Sequence, residues 1–278
     1  PTADGRTFSE LEPAREHVIA RDRPCVVKAT GLAAGKGVFV CDDAEEAVAA
    51  LERILGERSF GDAGARVIVE ERLEGQEVSV LALVDGRTIW VLDPAQDHKQ
   101  VGEGDTGPNT GGMGAYCPTP LLDDAMLAKI QRDILVPTID ALRREGIDYR
   151  GVLYAGLMLT PAGPKVLEYN CRFGDPECEP LMARLQGDLV EICWATAAGT
   201  LDEVRLAFDP RTACCVVMCS EGYPGPCTTG LPITGLEEAA AVAGAGRVRI
   251  FHSGTRRDAE GRLVTAGGRV LAVTALGA

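Results

Sequence analysis

Along the first part of the chain the spacing of apolar residues changes several times, and each change marks an element. Cys25-Val26-Val27-Lys28 is a short apolar run ending on a lysine, and the glycine-rich stretch 31–37 follows at once, so it reads as a buried strand entering a loop. Across residues 44–55, Ala47, Val48, Leu51, Ile54 and Leu55 recur at helical spacing. Residues 66–70 form a β-branched strand. In 77–84, Val78, Val80 and Val84 fall on one face and Glu77 and Ser79 on the other. Strand, loop, helix and strand predict a small α+β lobe.

The pattern then lapses. Residues 94–120 are rich in Gly, Pro, Asn and Asp, and their scattered apolar positions predict a long, ordered, functional loop. A helix over 124–145 is marked by Leu127, Ile130, Ile134 and Leu142, with Pro137 expected to kink it. Strands at 151–160 and 165–170, joined by Pro161-Ala162-Gly163-Pro164, predict a hairpin. A second unit is expected to start near Asp209-Pro210, with strands at 213–219 and 269–274. No internal repeat is visible.

Composition narrows the classes. At 278 residues, with 46% apolar and 25% charged positions, the chain can bury the cores of two domains, or of one domain with a large insertion. No run approaches a membrane span and no basic-then-apolar leader is present, so a cytoplasmic protein is expected. The net charge of −13, unrelieved by any Lys/Arg block, argues against a nucleic-acid or anionic-membrane partner. An anionic substrate must then be held by a few local cations. Ten cysteines without a CxxC and with only three histidines read as buried, reduced thiols.

Four stretches carry candidate chemistry. The first is Lys28-Ala29-Thr30-Gly31-Leu32-Ala33-Ala34-Gly35-Lys36-Gly37, where glycines let backbone N–H groups close over phosphate oxygens and lysines neutralise charge. A P-loop does not fit, because the spacing from Gly31 is one residue short and Gly37 stands where Ser or Thr should bind magnesium. A glycine flap over phosphates, or an ordinary strand and turn, both remain. The second is 67–77, where two strands meet at Glu70-Glu71-Arg72-Leu73, offering backbone groups to an adenine edge and Glu77 to ribose hydroxyls; a solvated acidic turn is the plainer reading.

In the third, Val166-Leu167-Glu168-Tyr169-Asn170-Cys171-Arg172-Phe173-Gly174-Asp175, strand alternation places Glu168 and Asn170 on one face with Cβ atoms roughly 7 Å apart. A carboxylate and an amide oxygen so placed can grip a hard cation such as Mg²⁺, while Arg172 offers a planar fork to a carboxylate or phosphate; the alternative is a plain surface strand end. The fourth is Gln96-Asp97-His98-Lys99 with the glycine-rich run from Gly104 to Tyr116, expected to close over a polar ligand. His98 is expected to position or pack rather than to transfer protons.

Taken in order, these stretches resemble phosphoribosylamine–glycine ligase (glycinamide ribonucleotide synthetase), a carboxylate–amine ligase family of the ATP-grasp superfamily. The resemblance extends to Phe251-His252-Ser253-Gly254-Thr255 and Gly267-Gly268-Arg269-Val270-Leu271, and so over nearly the whole chain. It implies an α+β ATP-grasp fold, two lobes clasping ATP, followed by a partial small C-terminal α/β domain. The ATP-grasp region would span 1–205, with a small lobe at 24–73 and a large lobe at 76–200; an incomplete C-terminal domain would span 206–278, the family's N-terminal substrate-binding domain being absent.

The resemblance further implies that Lys28 and the flap residues Gly31, Gly35, Lys36 and Gly37 hold phosphates, Glu70, Glu71 and Leu73 the adenine side, and Glu77 the ribose. Glu168 and Asn170 match the family's Mg²⁺ or Mn²⁺ ligands. Lys99 and Arg172 are expected on substrate anions, with Asp175 and Asn109 supporting. The implied reaction joins glycine to 5-phosphoribosylamine through glycyl phosphate, and in many eukaryotes such domains are fused to other purine enzymes. Two rivals stand beside it: an ATP-grasp ligase for another acid or amine, and a fragment that binds ATP without turnover.

Overall fold

The computed structural model describes residues 1–33, 37–242 and 247–277. Gly35 and Lys36, both expected in the flap, lie outside the described residues. The chain forms two compact units, one of Pro1–Gln76 with Met158–Leu167, the other of Glu77–Leu157 with Glu168–Ala278.

In the first unit, β1 (Gly5–Phe8), β2 (Cys25–Ala29), β3 (Val38–Cys41) and β4 (Val67–Glu71) make an antiparallel sheet in the order β1-β4-β2-β3. Alternation decides its faces. Cys25, Val27, Val67 and Val69 turn inward, where they meet Ala14 and Val18 of α1 (Leu11–Arg21) and Ala47 and Leu51 of α2 (Ala44–Leu51). Asp43 caps α2 by accepting from the Glu46 N–H, and a single π-type turn at Glu52–Gly56 extends the predicted helix. The opposite parity leaves Lys28 and Glu70 together on the other face.

The second unit holds β5 (Gln76–Asp85) apart from its first residue, β6 (Ile89–Val91), β7 (Gln96–Gly102), β8 (Thr106–Cys117) and β9 (Arg150–Thr160) up to Leu157, while β10 (Gly163–Asn170) belongs to the first unit up to Leu167 and to the second from Glu168. One sheet runs β10-β9-β5-β6. Central β5 is buried on both faces from Val78 to Asp85, so Ser79, on the face opposite Val78, is buried as well. Its core gathers Leu81, Leu83, Leu92, Tyr154, Leu181 and Ile192.

The stretch expected to be a loop is instead the β7–β8 hairpin. With β13 (Ala213–Cys219), β14 (Val248–His252) and β17 (Arg269–Leu276) it makes a five-stranded sheet ordered β14-β17-β13-β8-β7. Gly114 makes that pairing possible, because a Cβ there would stand 2.6 Å from the Cys215 carbonyl oxygen. Two small ribbons complete the strands: β11 (Leu185–Gln186) with β12 (Ala207–Phe208), and β15 (Thr255–Arg257) with β16 (Leu263–Thr265).

The helix expected over 124–145 runs without a break as α3 (Asp124–Ile130), a π-type turn at Gln131–Leu135 and α4 (Val136–Arg144), with Pro137 directly after the π-type turn. Next come α5 (Cys178–Arg184), α6 (Leu189–Ala198) and α7 (Leu236–Ala241). Among the described residues no helix is long and apolar enough to cross a membrane. All ten cysteines are free thiols, but they are not all buried: Cys171, Cys193 and Cys214 are exposed, Cys214 because it alternates with buried Ala213 and Cys215 along β13.

Candidate active site

In the first unit, the polar face of the sheet holds a compact charge pair. Lys28 Nζ lies 2.6 Å from Glu70 Oε2 and donates to the Leu167 carbonyl at 3.2 Å, with both side chains largely shielded. Beside them, Lys165 donates to Glu71 Oε1 at 2.6 Å; that bond, more than any other contact, holds the Glu71 carboxyl below its usual range. The base of the expected flap is the β2–β3 hairpin, closed where the Ala29 N–H donates to the Gly37 carbonyl. Gly31 donates to the Ala63 carbonyl at 2.9 Å and approaches that backbone too closely for a Cβ. Leu73 is half-buried in the connector after β4.

In the second unit, alternation along β7 puts Asp97 and Lys99 on one face. Lys99 Nζ bonds Glu77 Oε2 at 2.7 Å and sits 3.9 Å from Asp97 Oδ2. Burial pulls the Lys99 ammonium down, but the carboxylates of Asp97 and Glu77 outweigh it and hold it above its usual range. Burial raises Asp97 to about 6, opposed by Lys99 and reinforced by Glu177 and Glu77. Glu177 itself is anchored on two hydroxyls, Ser79 at 2.9 Å and Tyr154 at 2.8 Å. His98 bonds Asp105 at 3.0 Å and stacks on Tyr116, which fits a positioning role.

At the end of β10, Asn170 Nδ2 lies 3.5 Å from Glu168 Oε1, so the two side chains do converge. Glu168 is exposed and Asn170 half-buried. The Asn170 nitrogen faces Glu168 here, and with the amide turned over the two residues would offer two oxygens to a hard cation that takes its other ligands from water and phosphate. Among the described residues no cluster of three or more His, Cys, Asp or Glu is placed to hold a metal by protein alone. Next in the chain, Arg172 is exposed and donates to the Phe173 carbonyl at 2.7 Å, while both carboxylate oxygens of Asp175 receive bonds from Arg269. Asn109 is exposed at the start of β8, opposite Gln100.

Residues 1–178 match the model of the ATP-grasp (A) domain of phosphoribosylglycinamide synthetase, and residues 213–278 match the C domain of the same enzyme. The chain belongs to the phosphoribosylglycinamide synthetase family. The phosphoribosylamine–glycine ligase of Rhodopirellula baltica is 56% identical over all of this chain, which spans 64% of that relative's length. The trifunctional purine biosynthetic protein adenosine-3 of Homo sapiens is 49% identical over 99% of the chain, covering 27% of that protein. Among solved structures, the phosphoribosylamine–glycine ligase of Thermotoga maritima is 35% identical with a TM-score of 0.87, over 99% of this chain and 67% of that one. The fold is therefore ATP-grasp.

Within this member of the family, three charged side chains lie beside the expected groups without having been given a role from the sequence. Asp97 shares the face of Lys99, a signal that the alternation of Glu168 and Asn170 had already illustrated. Arg269 was visible only as a cation next to two glycines. Lys165 has no sequence signal, because its partner Glu71 is 94 residues away.

Proposed function

We propose that this chain catalyses the ATP-dependent ligation of glycine to 5-phosphoribosylamine, giving glycinamide ribonucleotide, ADP and phosphate in purine biosynthesis. The family matches over both domains support this reading, and the observation that carries it to the residues is the convergence of Glu168 and Asn170 at the end of β10. A domain division at about residue 205, with lobes at 24–73 and 76–200, goes with this reading, as does a cytoplasmic location. The human relative supports fusion to other purine-biosynthesis domains as one natural context.

In the first step a glycine carboxylate oxygen attacks the γ-phosphorus of ATP, ADP leaves, and glycyl phosphate forms. In the second, the phosphoribosylamine nitrogen attacks the acyl carbon, phosphate leaves and the nitrogen loses a proton. Bringing a carboxylate to a triphosphate sets anion against anion, so the work of the protein is alignment and screening. Glu168 and Asn170 would hold Mg²⁺ or Mn²⁺, which neutralises charge on the phosphate oxygens. Lys28 and the flap with Gly31 and Gly37 bind phosphates, Glu70, Glu71 and Leu73 the adenine side, and Glu77 the ribose. Lys99 and Arg172 take substrate anions, with Asn109 and Asp175 in support.

Lys28 and Lys99 are held by Glu70 and Glu77, so neither lysine flexes freely before an anion arrives. That preorganisation is what makes such contacts effective, each typically worth on the order of 3 kcal/mol in the barrier. The test is ADP formation with glycine and phosphoribosylamine, measured on the chain alone and joined to the span of the R. baltica ligase that it does not cover. Glu168→Ala should lower kcat by about a hundredfold or more. Near-normal turnover in that variant would remove the metal assignment. Faster ADP release with another acid or amine would favour a sister ligase, and ATP binding with no turnover in either form would favour a binding module.

A further inference from the structure

Both tail motifs converge on one side chain. The Gly254 N–H donates to the Arg269 carbonyl at 2.9 Å and the Ala266 N–H to the Gly254 carbonyl at 2.7 Å, so 253–254 and 266–269 run against each other backbone to backbone. Neither Gly254 nor Gly268 has room for a Cβ, the first against the Arg269 carbonyl oxygen and Gly267, the second against the ring of Tyr223. Ser220 fixes the same turn, its N–H on the Gly268 carbonyl and its hydroxyl on that of Gly267, each at 2.8 Å. This packing presents Arg269 and Tyr223 side by side.

What they grip lies elsewhere in the chain. Arg269 Nη1 donates to Asp175 Oδ1 and Nη2 to Oδ2, both at 2.9 Å, and Nη1 also reaches the Gly111 carbonyl at 2.7 Å. The Gly111 N–H donates to the Tyr223 hydroxyl at 3.0 Å, so that residue is held at both its N–H and its C=O. Gly112, at φ +111°, packs so closely on Pro176 that a Cβ would collide with it. Two residues after Asp175, Glu177 is fixed on Ser79 and Tyr154. A surface ion pair is usually worth little, but this one is bidentate, three-quarters shielded on the arginine side, and shared with a backbone carbonyl.

We propose that Arg269, with Tyr223, is a positioning residue that ties the Gly111–Gly112 end of β8 to the loop carrying Arg172, fixing where the Arg172 fork stands for an anionic substrate. Asp175 then acts on Arg269 rather than on substrate. The substrate part rests on the ligase reading above; the ordering of the two loops does not. Lysine cannot replace arginine here, because one ammonium cannot span two carboxylate oxygens and a carbonyl in a planar fork.

The experiment has two arms. By hydrogen exchange and mass spectrometry, Arg269→Ala should speed exchange at 110–113 and 172–176 about tenfold or more, while 80–84 in β5 stays protected. Unchanged exchange in both loops overturns the proposal, as does equal loss of protection in β5. In the ADP-formation assay, Arg269→Ala should raise the KM of glycine or of phosphoribosylamine about tenfold and leave that of ATP within about twofold. Arg269→Lys should not restore it, and Asp175→Asn, which leaves the tail turn alone, should reproduce it in milder form. Rescue by lysine, or a matching rise in the ATP KM, refutes the role. If the unsubstituted protein forms no ADP with these substrates, the ligase reading and with it the substrate role fall, and the exchange arm still decides the loop ordering.

Discussion

Asp97 is a shielded carboxyl with Lys99, Glu177 and Glu77 around it. Burial sets its carboxyl at about 6, against 3.8 for a free aspartate, with Lys99 pulling down and Glu177 and Glu77 pushing up. Between those values the folded chain binds more protons at Asp97 than the unfolded chain, so this group favours folding at low pH and that contribution is lost as pH rises through about 6. In urea titrations from pH 4 to 7, Asp97→Asn should remove a fall in stability of about 2–3 kcal/mol present in the unsubstituted chain. Identical pH slopes for the two proteins would contradict this. The neighbouring pairs teach a related lesson about legibility. Glu168 and Asn170 could be placed on one face because two residues on one strand need only the strand period. Lys28–Glu70, Lys99–Glu77 and Arg269–Asp175 could not, since each joins segments that only the fold brings together.

At the scale of elements, the apolar pattern located strands whose residues are buried on one or both faces, β5 included, and failed where a strand has few apolar residues. β2, β4 and the β9–β10 hairpin were readable within a residue or two. β7 and β8 were not, because strands rich in polar residues and glycine have no apolar alternation and are held by pairing with each other and, at 114–117, with β13. The turn after β5 shows how one side chain can specify a junction. Asp85 Oδ1 accepts from the Arg87 N–H at 2.9 Å and the Thr88 N–H at 2.6 Å, while Oδ2 accepts from the Leu201 N–H at 3.0 Å. Asp85 is buried, so Asp85→Ala leaves the buried Leu201 N–H without its acceptor and takes the cap from two turn N–H groups, and should lower stability by about 1–3 kcal/mol. Chemical denaturation measures this directly, and a loss below about 0.5 kcal/mol would show that the junction holds without the carboxylate.

Over the whole molecule, a net charge of −13 leaves anionic ligands dependent on a few local cations, and Lys28, Lys99, Lys165 and Arg269 are each already engaged by a carboxylate. Such an arrangement holds charge in place rather than attracting it from afar, as a reaction between two anions requires. The central claim is that one of those anions is the glycine carboxylate and that it becomes an acyl phosphate. Glycine labelled with ¹⁸O in its carboxylate, incubated with ATP and phosphoribosylamine and the chain joined to the remaining ligase span, tests it through the released phosphate. One ¹⁸O should appear in each phosphate formed, since the attacking carboxylate oxygen leaves with the phosphoryl group. Phosphate free of label, with glycinamide ribonucleotide accumulating, would contradict the account.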